Sequence, residues 1–103
     1  MKRPDKLRIL GKTYRIAYLR RAFYGDSGDE LNGECILEQQ KIKIRHGLGA
    51  LEERETVLHE AMHGVEQTMG VKISEADLTR MAAGVLALLT DNPEFAAYLV
   101  SKE

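Results

Sequence analysis

The sequence predicts an α+β domain: a small, mostly antiparallel sheet packed on a helix that carries H-E-x-x-H, with one or two helices after it. Three observations predict it. In the first half, short apolar runs alternate with polar residues and are separated by glycines, the pattern of strands with one buried face. In the second half, apolar residues recur every three or four positions over two long stretches, the period of amphipathic helices. The chain has 103 residues with no linker, repeat or low-complexity tract, so residues 1–103 form one domain with a thin core.

Each element has a local reason. Leu7 to Leu19 holds two apolar runs around Gly11-Lys12, a hairpin signal with glycine first in a two-residue turn. Tyr14, Ile16 and Tyr18 alternate toward a buried face. Ala22 to Glu34 carries three glycines and several acids and reads as a mobile loop. Its Asp26, Asp29 and Glu30 miss the spacing of a calcium loop and are expected to be solvated. Glu34 to Arg45 supplies one or two further strands. Within it, Ile42 and Ile44 alternate with Lys41, Lys43 and Arg45, which predicts an edge strand protected by charge.

The helices follow. Leu51, Val57, Leu58, Ala61, Met62, Val65 and Met69 mark the first helix, and Gly70 is its stop. Ser74 caps the second, with Asp77 at the capping-box position. Leu78, Met81, Ala82, Val85 and Leu89 form its apolar stripe, and it ends near Thr90. Pro93 opens a short third helix whose inner face would be Phe95, Tyr98 and Leu99.

Composition excludes several classes. The chain is 44% hydrophobic and 30% charged, ordinary for a soluble domain. Net charge is −1, which gives no electrostatic reason to expect a nucleic-acid partner. The longest apolar run, Ala82 to Leu89, is too short to span a bilayer, so no membrane partner is expected. No apolar segment follows the basic MKRPDK, so no secretory signal is expected. Cys35 is the single cysteine, read as a small buried strand residue. A cytoplasmic location fits these features.

The chemistry concentrates in TVLHEAMHGVEQ, Thr56 to Gln67. Two of the three histidines lie there, four residues apart. On a helix His59 and His63 stand one above the other, so both imidazoles can grip one zinc ion. Glu60 points about 100° round the helix from His59. From there it can take the proton of a water that zinc acidifies toward a pKa of about 7.

A zinc site needs a third protein ligand, and four candidates stand. Glu75 lies on the face of Leu78, Ala82, Val85 and Leu89, so it extends a buried stripe where a cation would neutralise it. Glu66 shares the His63 face and suits the role of orienting an imidazole. His46 precedes the helix and could fold over the site. Asp77 lies about 200° from Glu75 on the wheel and should face outward.

The order of short strands, IKIR, ETVLHEAMHGVEQTMGV and SEADLTRMAAGVLALLTDNPEFAAYL resembles a family. It is similar to the small phage and prophage proteins assigned as zinc metallopeptidases, related to the ImmA/IrrE group. The resemblance runs from about Leu7 to the end. It implies a minimal zincin fold, His59 and His63 as zinc ligands, Glu60 as general base, and Glu75 as the matching glutamate ligand. It also implies a host-cell cytoplasmic setting.

The resulting expectation is a zinc peptidase acting on a protein or peptide that pairs with the Lys41–Arg45 edge. Tyr24 and His46 are open as oxyanion donors. The rival is a silent, zinc-stapled interaction module, which would close the fourth metal position with Glu66 or His46.

Overall fold

The structure, a computed structural model, describes residues 2–103. Four strands form one mixed sheet and three helices follow. The strands are β1 (Lys6–Ile9), β2 (Lys12–Leu19), β3 (Gly33–Ile36) and β4 (Lys41–Arg45). A single 3-10 turn, Leu37–Gln39, joins β3 to β4. The helices are α1 (Ala50–Met69), α2 (Glu75–Asp91) and α3 (Pro93–Leu99).

β1 and β2 form the expected hairpin, but its turn is Leu10-Gly11, one residue earlier than the glycine-first reading. Ile9 pairs with Lys12, and both turn residues have positive φ, 48° and 87°. That is the type I′ geometry whose twist matches paired strands.

The sheet order is β1-β2-β4-β3. β4 is therefore internal, not the edge strand that its alternating charges suggested. It runs parallel to β2 and antiparallel to β3. The edges are β1 and β3. The lysines of β4 point away from the helices and are partly exposed on the other face of the sheet, where Lys43 lies near the buried Phe23 ring, so no free edge is needed to accommodate them.

The loop before β3, read from the sequence as mobile, carries hydrogen bonds of its own. Leu31 N–H donates to Phe23 O and Gly25 N–H to Asp29 O, with Tyr24 bridging to Glu30. Phe23 is buried.

Inward residues of three strands make the core: Ile9, Tyr14, Ile16, Ile42 and Ile44. Val57 and Ala61 of α1 pack against them. Each such aliphatic side chain contributes about 1.5–3 kcal/mol on full burial. Gly64 sets the approach of α1, because a Cβ there would come within 2.9 Å of Ile9 Cδ1. Gly70 ends α1 at φ 72°, its N–H donating to Glu66 O. Ser74 Oγ accepts from Asp77 N–H at the start of α2. Both caps are as the sequence indicates.

α2 packs on α1 through Leu78 and Ala82, both fully buried. α3 lies against α2. Phe95, Tyr98 and Leu99 are consequently exposed, which corrects the inner face assigned to them: α3 turns away at Asn92-Pro93 before it can reach the sheet. No helix is long and apolar enough to cross a membrane.

Candidate metal centre

α1 places His59 and His63 one turn apart on the side facing α2. Their ring centroids are 4.8 Å apart at an interplanar angle of 73°. Glu75, in the first turn of α2, reaches across to both. Its Oε1 lies 2.6 Å from His59 Nε2 and its Oε2 lies 3.0 Å from His63 Nε2. The carboxylate is 70% exposed, so it is not buried at the end of the Leu78 stripe as the wheel suggested. It sits at the mouth of a cleft.

Glu66 approaches from the other side of the ring. His63 Nδ1 is 3.0 Å from Glu66 Oε1, while Glu66 Oε2 accepts the Ile73 N–H at 2.6 Å. The Ile73 amide and then His63 hold the Glu66 carboxyl below its ordinary range. With Nδ1–H donated to Glu66, the Nε2 lone pair of a neutral His63 faces a Glu75 oxygen. In that tautomer two acceptors face each other, and either a proton or a metal cation between them satisfies both.

Glu60 is 5% exposed, the one buried charged side chain among the described residues. Its Oε2 is 3.9 Å from His59 Nε2. His59, Glu60 and His63 offer donor atoms within 4.8 Å of one another and can hold a metal ion as a group. Distance favours Glu75 over Glu60 as the carboxylate partner of the imidazoles, 2.6 Å against 3.9 Å. Burial pushes the Glu60 carboxyl up to about 7, with Glu75 and Glu34 adding to the rise and His63 and the Cys35 amide opposing it.

The donors fit zinc. Two imidazole nitrogens and a carboxylate are a common zinc set, and tetrahedral bonds of about 2.0–2.1 Å put neighbouring donors about 3.3 Å apart. The observed 2.6 and 3.0 Å are hydrogen-bond distances to the two separate Glu75 oxygens, shorter than that spacing, so the groups would move apart to admit an ion.

The cleft beside these groups is about 360 Å³ and runs along the start of β3, past Leu31, Asn32 and Gly33. Gly33 is a residue that the sequence reading passed over. A Cβ there would meet Thr56 Cγ2 at 2.7 Å and Glu60 Cγ and Oε2 at 2.9 Å. The Asn32-Gly33 pair signals a turn in the sequence, and nothing local marks it as the wall against a carboxylate 27 positions on.

The remaining candidates fall away from the centre. Asp77 faces outward and pairs with Arg80 at 3.0 Å. His46 and Tyr24 do not line the cleft. Cys35 is half-buried in β3, as its sequence context suggests, and burial pushes its thiol up to about 11. No family model, curated protein or solved structure matches this chain.

Proposed function

We propose that the protein is a zinc-dependent peptidase with a minimal zincin fold, akin to the small phage and prophage metallopeptidases of the ImmA/IrrE group that its sequence resembles. The observation that carries this reading is the Glu75 carboxylate within 2.6 and 3.0 Å of both Nε2 atoms, while a second, buried carboxylate stands beside them at 3.9 Å. Ligand and base are thus different groups.

His59 Nε2, His63 Nε2 and Glu75 would hold the ion. Zinc supplies Lewis acidity, which acidifies water and polarises a carbonyl. Glu60 takes the proton of the attacking water at Oε2 and later delivers it to the leaving amine. Glu66 fixes the His63 tautomer, so that Nε2 presents its lone pair. Leu31, Asn32 and Gly33 shape the cleft at the start of β3. β3 is a free edge, so an extended peptide can pair with it; β3 takes the role that the sequence suggested for Lys41–Arg45.

An open fourth position separates this reading from a zinc-stapled, silent module. Glu66 is engaged with Nδ1, the wrong nitrogen for a fourth ligand, and His46 is outside the cleft. Both facts support the catalytic reading.

The test is a paired measurement of bound zinc and peptide cleavage. Glu60→Gln is expected to keep zinc and lose hydrolysis, and His59→Ala to lose both. Cleavage by Glu60→Gln at the parent rate rules out the mechanism. In Glu75→Ala, zinc affinity is expected to drop by at least the roughly tenfold that loss of a group merely orienting a ligand costs; undiminished zinc content removes Glu75 from the ligand set.

A further inference from the structure

The face of the sheet opposite α1 concentrates positive charge. Outward positions alternate with the core residues, and the pairing fixes which side chains share that face. They include Lys6 and Arg8 of β1, Arg15 of β2, and Lys41, Lys43 and Arg45 of β4. Glu34 is the one acid at an outward strand position. The chain has 15 basic and 16 acidic residues in all. Six of the bases are thus on this face with two acids, Glu34 and the Glu30 that reaches Arg45 from the preceding loop, and the rest of the molecule is acidic, with 9 bases and 14 acids.

The charges are also unevenly neutralised. Lys43 pairs with Glu34 at 3.6 Å, and Arg45 pairs with Glu30. Lys6, Arg8, Arg15 and Lys41 have no ion-pair partner among the described residues. Lys6, Arg15 and Lys41 are register partners across three adjacent strands, a row about 10 Å long at the usual strand spacing. Arg8 stands one outward step from Lys6. Between Arg15 and Lys41 is a hollow of about 360 Å³, also lined by Gln39 and Gln40.

We propose that this open sheet face binds the phosphate backbone of duplex DNA, without reading its sequence. A flat row of unpaired cations beside an amide-lined hollow suits closely spaced phosphates, each of which can take charge-assisted hydrogen bonds. The chemistry of the face argues against two other anionic partners. Its outward apolar strand residues, Ala17, Leu19 and Ile36, are half-buried, and the one aromatic ring beside its cations, Phe23 at 5.6 Å from Lys43 Nζ, is itself buried and offers no open stacking surface. Single-stranded nucleic acid needs stacking platforms, and an acidic protein needs an apolar centre with few lysines. Neither is present here. The near-zero net charge conceals this surface, because acids on the helices cancel it in the sum but face elsewhere.

The test is fluorescence anisotropy with a labelled duplex of mixed sequence and the full chain. Four neutralised phosphates give a log–log salt slope of about −3.6, so affinity falls roughly 100-fold between about 50 and 200 mM salt. The triple variant Arg8→Gln, Arg15→Gln, Lys41→Gln is expected to weaken binding more than tenfold, with an unchanged circular dichroism spectrum. Lys72→Gln with Lys102→Gln, changed away from the sheet, is expected to bind like the parent. Equal loss in both variants, or none in the triple variant, overturns the proposal. So does tighter binding to a single strand, or competition by polyglutamate as effective as by duplex per unit charge. Self-association that the triple variant abolishes, with no DNA binding by the parent, assigns the face to a second copy and likewise overturns it.

Discussion

Glu60 sets a stability experiment that needs neither metal nor substrate. Its carboxyl rises from an ordinary 4.5 to about 7, chiefly through burial. A tenfold change in proton affinity is worth about 1.4 kcal/mol, so the ionised carboxylate costs the metal-free fold about 3 kcal/mol. The sign follows from linkage. Between pH 4.5 and about 7 the folded protein keeps a proton that the unfolded chain releases, so stability falls as pH rises through that window. Below it the cost is absent, and above it the cost is complete. Glu60→Gln keeps the shape and removes the titration. In chelator-treated protein at pH 8, the variant is expected to be more stable by about 3 kcal/mol. With a urea slope of about 1.5 kcal/mol/M, its midpoint moves up by about 2 M. At pH 4 the two midpoints should coincide. Other titrating groups are common to both proteins, so subtraction removes them. A difference that is constant from pH 4 to pH 8, or a less stable variant at pH 8, refutes burial as the source of the shift.

Three further outcomes follow from the same geometry. Glu66→Gln has one carbonyl oxygen where His63 Nδ1 and the Ile73 amide now meet two; zinc affinity is expected to fall 10- to 100-fold, read by competition with a chromogenic chelator. Gly33→Ala forces a Cβ against Thr56 and Glu60, so urea denaturation should show a loss of about 1–3 kcal/mol, with peptide cleavage lost more steeply than zinc binding. Leu78→Ala empties a fully buried position between α1 and α2 and is expected to cost about 2–5 kcal/mol; it should also weaken zinc binding, because α2 carries Glu75.

The helices were legible because their signals are local. The apolar period, Gly70 and the Ser74 cap act within a few residues of where they stand, and α1 and α2 begin and end within a residue or so of the positions they mark. Sheet order was not legible. The pairing of β2 with β4 joins residues 26 positions apart, and the alternation of Lys41 to Arg45 is the same for an edge strand as for an internal strand with one open face. The basic face was hidden for the same reason, since Lys6, Arg15 and Lys41 are neighbours only through register. Glu75 was half legible. The wheel put it on the correct side of α2, but burial was the wrong inference, because a glutamate at a helix start can lean across a cleft while staying in contact with water. Gly33 left no local trace, because its role depends on the placement of Glu60.

The motif's spacing also divides its labour. Positions 60 and 64 lie four apart, as do 59 and 63, and the two rows are about 100° apart on the helix. The 60/64 row faces the sheet and the 59/63 row faces α2. Gly64 lets the sheet-facing row approach Ile9, and Gly33 lets β3 close over Glu60. Glu60 is therefore the member of the motif driven into the interior, where burial raises its proton affinity, while both imidazoles stay at the cleft. A side chain at Gly33 would press on Thr56 and Glu60, hold β3 off α1 and admit water to Glu60. Its carboxyl would then move back toward 4.5, and in the proposed mechanism a weaker base would stand beside unchanged ligands. Gly33, outside the His-Glu-His group, thus bears on how basic the buried carboxylate is.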